Sequence, residues 1–268
     1  MNKRLSYLFL SVVTIVSCIP AHPNGNAGRQ QVRQQNRLGS ATLLELPAVR
    51  QGEVITTHSG YAASFNSTWM IPNWVAYELT AEELQGMYPR PKNSPFQPDP
   101  KYRGKQPERS DYSYSGWDKG HLAPCADMKW SEDAMIESFF FTNVCPQDHG
   151  FNEGIWQKLE ERARRVARKR GSLFIVCGPV VAGNEFGTLG RNKVVIPDAF
   201  FKAFLYRDTA GYHSIAYLIP NKNLALNFNE YALTVNELEK LLGIDLFTRL
   251  PDNVEEKVEE QMVFSDWN

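Results

Sequence analysis

The placement of β-branched and aromatic residues constrains this chain more than any other feature. Strand-like runs recur at Val54–Phe65, Trp74–Leu79, Phe139–Val144, Leu173–Val181, Lys193–Ile196, Ala199–Tyr206 and His213–Ile219. One long helical pattern stands among them, over Asn152–Arg170. There Ile155, Leu159, Ala163 and Val166 recur at helical spacing and Gly171 marks the stop. Ser131–Glu137 and Thr234–Leu242 read as shorter helices. Strands do not alternate regularly with helices, which favours an α+β fold, a mostly antiparallel central sheet flanked by helices, over a doubly wound one. The length of 268 residues suits one large domain that needs no disulfide staples, and no internal repeat is visible.

The N-terminus reads as an address. Lys3 and Arg4 precede an apolar run, Leu5–Val16, that is too short to span a bilayer, for which roughly 20 residues are needed. The run ends in Ile15-Val16-Ser17-Cys18, which resembles the lipobox of bacterial lipoproteins, a family whose signal is cut before the cysteine and whose thiol carries the lipid. The resemblance implies a signal peptide over residues 1–17, lipidation of Cys18, and an exported protein held at a bacterial cell envelope or in the periplasm by a membrane anchor. An ordinary secretory signal with an incidental Cys18, or a cytoplasmic protein, is the alternative. Residues 18–40, rich in Gly, Pro, Asn and Gln, read as a flexible tether. Three thiols then remain, Cys125, Cys145 and Cys177, which allow at most one bridge or none. The segment 251–268 carries six acids against Lys257 and reads as a charged C-terminal tail.

The charge balance of 29 Lys plus Arg against 30 Asp plus Glu argues weakly against a polyanionic partner. It conceals an uneven distribution. Pro89–Arg109 holds six basic residues against Asp99 and Glu108, and Arg162–Arg170 holds six with no acid. Each run alone reads as a solvated face; together they are able to track phosphates.

The segment Asp118-Lys119-Gly120-His121 places an acid, a fixed cation, a flexible glycine and a histidine in succession. Histidine takes a proton near neutral pH and suits general-base work. Lysine suits a site where a phosphate gains charge. Asn152, Trp156 and Glu160 are spaced to share one helix face, and the Asn and Glu oxygens suit a hard, hydrated divalent ion. Taken singly, each has a plainer reading: a turn histidine, an N-cap asparagine, a glutamate paired with a basic neighbour such as Arg164.

In order, however, Asp-Lys-Gly-His, then Phe-Phe-Phe-Thr-Asn-Val-Cys-Pro-Gln, then Phe-Asn-Glu-Gly-Ile-Trp-Gln-Lys-Leu-Glu resemble the DNA/RNA non-specific endonuclease family. The resemblance covers roughly residues 55–245 and places the domain at 41–250. It implies a ββα-metal core holding one Mg²⁺ (or Mn²⁺ or another divalent ion). His121 then matches the general base, Asn152 the direct metal ligand, Glu160 the glutamate that holds water at the ion, and Asn143 the asparagine that orients the site. The implied reaction is hydrolysis of DNA or RNA to 5′-phosphate and 3′-hydroxyl ends, and a homodimer is compatible with it. Lys119 stands where the family usually has arginine, which keeps the charge and loses the bidentate fork. Arg90 lies in the region of the family's upstream phosphate arginine. Two other readings remain: a non-catalytic nucleic-acid-binding lipoprotein on the same scaffold, and a zinc site built from His121 with Cys125 and Cys145 with His149.

Overall fold

The computed structural model describes residues 43–93, 95–225 and 227–267. The segments read as signal and tether, and Cys18 with them, lie outside the described residues. Eleven strands are described: β1 (Ile55–Thr57), β2 (Ala62–Asn66), β3 (Ile71–Thr80), β4 (Asp118–His121), β5 (Val144–Gln147), β6 (Ser172–Val180), β7 (Thr188–Leu189), β8 (Val194–Val195), β9 (Ala199–Asp208), β10 (Gly211–Pro220) and β11 (Ala232–Leu233). Seven of them form one sheet in the order β1-β2-β3-β6-β9-β10-β11, with every pair antiparallel. The helices are α1 (Glu132–Glu137), α2 (Gln157–Arg170), α3 (Val235–Leu242) and α4 (Asp252–Glu259). The expected α+β architecture is what the chain adopts.

Period-two alternation divides the side chains of the sheet between two cores. Along β9, Phe200, Phe204 and Tyr206 enter one, while Phe201, Ala203 and Leu205 enter the other. Along β3, Val75, Tyr77 and Leu79 go to the first, and Trp74 and Ala76 to the second. Leu159, Ala163 and Val166 of α2 seal the first core, and Val235 and Leu238 of α3 the second. The β4–β5 hairpin lies on the α2 side, where Val144 and Cys145 join the same core. Two strands and the following helix thus form a ββα unit on one face of the sheet.

Three expected elements differ. Val54–Phe65 is a hairpin, β1 and β2, because the His58 N–H donates to the Tyr61 carbonyl (2.8 Å) and closes a turn. Phe139–Val144 is mostly not a strand: Phe140 makes a single bridge to Gln97, Phe141–Asn143 is a 3₁₀ turn, and the β5 ladder begins at Val144. That curl lets the Asn143 amide reach back to the Ser138 carbonyl (2.7 Å). The long helix begins irregularly, with a short turn at His149–Phe151 and a π-helical turn at Asn152–Trp156 before α2. The helix stop is as expected, with Gly171 at φ +93.

The segment read as a charged tail folds back. Ser214 Oγ on β10 donates to the Val258 carbonyl of α4 (2.8 Å). Trp267 is buried against Phe204 and Tyr206, with ring centroids 5.9 and 5.1 Å away. Its carbonyl accepts from Arg162 Nε (3.1 Å), which gives one member of the α2 basic run a buried, structural partner. Replacing Trp267 by Ala empties this seat, with an expected loss of about 3–5 kcal/mol in urea unfolding. A loss near zero would show that the segment is not part of the fold.

Candidate active site

The β4–β5 ladder sets the site. Its register pairs Asp118 with Gln147, Gly120 with Cys145 and His121 with Val144. A side chain at position 120 has no room, since a Cβ there would lie 1.9 Å from Gln147 Oε1. This is the close approach that the glycine permits. Just past the ladder Asn143 acts as a clamp: it accepts from the Ala123 N–H (2.8 Å) and donates to the carbonyls of Ala123 (2.8 Å) and Ser138. Fully buried, it spends its amide on the backbone and does not enter the cleft. Its place is consistent with orienting the site and not with contact to a substrate.

The cleft beside this ladder has a volume of about 410 Å³ and brings together Arg90, Lys119, His121, Asn152, Glu160 and Arg164. The His121 ring packs between Phe96 (5.2 Å) and Phe139 (4.9 Å), and Nε2 is buried with no hydrogen-bond partner. Burial, helped by the positive charge of Arg90, lowers the imidazole pKa to about 3, so the ring is neutral. Arg90 lies over Phe139 (5.4 Å). Lys119 lies over Tyr112 (5.3 Å) and Phe96 (5.8 Å); burial and the nearby Arg109 lower its pKa against the pull of Asp118.

The opposite wall comes from the helix. Asn152 Nδ2 donates to Asp118 Oδ2 (2.9 Å), so the Asp118 carboxylate fixes the amide and leaves Oδ1 as its acceptor. The N-cap here is Asp148, whose side chain accepts from the Phe151 N–H (2.9 Å), so the plainer reading of Asn152 as a cap does not hold. The π turn also alters the expected shared face: Asn152 and Glu160 line the cleft, whereas Trp156 is buried behind them. Burial raises the Glu160 carboxyl to about 7, with Lys202 and Arg164 opposing and Asp127 reinforcing the rise. Arg164 itself pairs with Asp127 (2.9 Å) and not with Glu160. One oriented amide oxygen and one buried carboxylate at the same wall are hard donors, and they fit a divalent ion that keeps most of its water.

The zinc reading fails on placement. Cys145 is fully buried in the core, and His149 is exposed with Nδ1 on Asp118 Oδ2 (2.9 Å). All three described cysteines are free, and no helix among the described residues is long and apolar enough to cross a membrane. The site also uses residues in roles that the sequence did not assign. Phe96 and Phe139 wall the histidine. Arg164 continues the spacing of Trp156 and Glu160, a signal present in the sequence. Asp118, read only as a generic acid, is the group that orients Asn152.

A hairpin and helix around a neutral histidine and a hard-oxygen wall define a ββα-type site. The sequence profile of the DNA/RNA non-specific endonuclease family matches residues 41–253, and the chain belongs to that family. It is 28% identical over 275 residues to the mitochondrial nuclease EXOG of Homo sapiens, covering 92% of this chain and 74% of the human protein. It is 25% identical over 252 residues to the mitochondrial endonuclease G of Bos taurus, covering 90% of this chain and 81% of that protein. The chain spans 56% and 60% of the length of the mouse and zebrafish EXOG nucleases. In fold it resembles a chain from the crystal structure of the EndoG/EndoGI complex, with TM-score 0.72, 23% identity, and coverage of 81% of this chain and 94% of that one.

A buried charge cluster braces the cleft from behind. His58 Nε2 meets Asp99 Oδ2 (3.0 Å), and the same oxygen accepts from Thr142 Oγ1 (2.7 Å), next to Asn143. His58 Nδ1 faces Glu137 Oε1 at 3.6 Å, and Lys101 Nζ reaches that oxygen at 3.0 Å. Burial lowers the His58 pKa, but hydrogen bonds and charge from Asp99 and Glu137 outweigh it and raise the net value above 6.5. Burial raises Glu137, but the bonds from His58, the Ser59 amide and Lys101 bring it down to about 2. The His58 contribution is therefore complete below pH 6.5 and fades as pH rises through its raised value. The Glu137 contribution is complete above pH 4.5 and fades toward 2. The stability lost in His58→Gln, followed by urea unfolding, is expected to be greatest between pH 4.5 and 6.5. A loss independent of pH would mean that His58 is not held as the paired cation.

Proposed function

We propose that the chain is a divalent-metal-dependent, sugar-non-specific endonuclease that hydrolyses phosphodiester bonds in DNA and RNA, leaving 5′-phosphate and 3′-hydroxyl ends. The observation that carries this reading is the cleft itself: a neutral histidine and two hard-oxygen groups line it, with Arg90, Lys119 and Arg164 beside them. A module that only bound nucleic acid would need the cations but not the buried base.

In this reading His121 takes the proton of the attacking water, and its aromatic walls keep the imidazole neutral beforehand. Arg90 and Lys119 hold the scissile phosphate and offset the charge it gains. Asn152, fixed by Asp118, and Glu160 would hold Mg²⁺ or a similar ion. Such an ion, when bound, stabilises charge on the phosphate and the leaving 3′ oxygen. Arg164, tied to Asp127, sets the far edge of the cleft. The protein is also proposed to be exported to a bacterial envelope, with residues 1–17 removed and Cys18 lipidated, supported by the basic start, the short apolar run and Cys18.

Digestion of plasmid, single-stranded DNA and RNA with Mg²⁺ is expected to show cleavage of all three, stopped by EDTA. His121→Ala should cut about 10²–10⁴-fold more slowly, and cleavage at the wild-type rate would overturn the mechanism. Metabolic labelling with a fatty acid should mark the wild-type chain and not Cys18→Ala. Absent or unchanged labelling would overturn the anchor.

A further inference from the structure

On β9 the alternation that sends Phe200, Phe204 and Tyr206 into the core beneath the site sends Lys202 there too. Its side chain is fully buried, a position lysine almost never occupies without partners. Nζ lies 4.2 Å from the centre of the Trp156 ring and donates to the Leu122 carbonyl at 3.4 Å. Trp156 Nε1 in turn donates to the His121 carbonyl at 3.2 Å. Consecutive carbonyls at the end of β4, those of His121 and Leu122, are thus held by the indole and by the ammonium stacked on it. The Cys177 thiol adds a second donor to Leu122 (3.3 Å).

We propose that Lys202 is a positioning residue for His121, a role that rests on His121 being the base. It grips the backbone of the histidine from behind, through Leu122 directly and through Trp156 by a cation–π contact. The wall around the imidazole is apolar and offers its Nε2 no hydrogen bond, so the aim of the ring depends on its backbone. A buried cation costs much unless it is balanced. The balance comes from Glu160 and Asp127: burial raises both carboxyls, and Lys202 and Arg164 pull them back. A cation on an indole face in a dry setting is a strong contact, and a catalytic group displaced by even a small distance loses much of its rate.

The test compares the full-length wild type with Lys202→Met, which keeps the bulk and removes the charge, and with Trp156→Phe, which keeps an aromatic face and removes the N–H. Steady-state kinetics on duplex DNA are read beside the NMR signals of the His121 ring. Support is a fall in kcat of about 10- to 100-fold with KM unchanged, together with a shift of the His121 ring signals, in both variants. Unchanged kcat in either folded variant overturns the proposal, as does a fall in kcat with the His121 signals unmoved. Should Lys202→Met fail to fold in a thermal melt, the same two readouts on Trp156→Phe decide. Should the wild type cleave no nucleic acid, the proposed function has failed. The NMR signals then decide the positioning alone: a shift in both variants supports it, and unmoved signals overturn it.

Discussion

The site depends on a four-residue antiparallel ladder, Asp118–His121 against Val144–Gln147. The ladder aims Lys119 and His121 at the cleft and brings Asp118 to Asn152 on the following turn. It closes only because position 120 carries no side chain against Gln147. At its far end Asn143 replaces the next rung, pairing its amide with both backbone groups of Ala123. Short ladders are marginal alone. This one is stabilised by burial of Val144 and Cys145 in the core shared with α2 and by the Asn143 clamp.

Burial does opposite things to two titratable groups that line the cleft. It lowers the imidazole of His121 to about 3 and raises the carboxyl of Glu160 to about 7. Both shifts favour the uncharged form, as desolvation must. The nearby cations reinforce one shift and oppose the other: Arg90 pushes His121 further down, while Lys202 and Arg164 draw Glu160 back toward ionisation.

Much of this was legible in the sequence because it is local. Period-two runs over Leu173–Val181, Ala199–Tyr206 and His213–Ile219 became β6, β9 and β10, and the spacing of Ile155, Leu159, Ala163 and Val166 became the buried face of the helix. The order of the three motif blocks carried the ββα unit. What was not legible depends on tertiary contacts. The aromatic run at 139–144 has the composition of a strand, but Asn143 and Ser138 need a curl there. Asn152 looks like a cap, but Asp148 takes that role and Asp118, far away in sequence, takes the amide. The tail looks solvated by its acids, and Trp267 together with bonds from Ser214 and Arg162 docks it.

The near-zero net charge shows the same division between local and global information. Of the basic run on α2, Arg162 holds the Trp267 carbonyl, Arg164 holds Asp127 and Arg170 holds Asp208, so these are committed to the fold before any ligand arrives. Of the 89–109 run, Arg90 lines the cleft, while Lys101 is tied to Glu137 and Arg109 Nε donates to the Phe96 carbonyl. A polyanion approaching the cleft meets Arg90 and Lys119 in a concavity, where each acts more strongly than a surface lysine would. The cleft carries acids of its own, Asp118, Glu153 and Glu160, while others lie far from it on α4 and the segment after it. Affinity for a phosphate chain is set by the field inside the cleft, and a sum over the whole chain carries almost no information about that field.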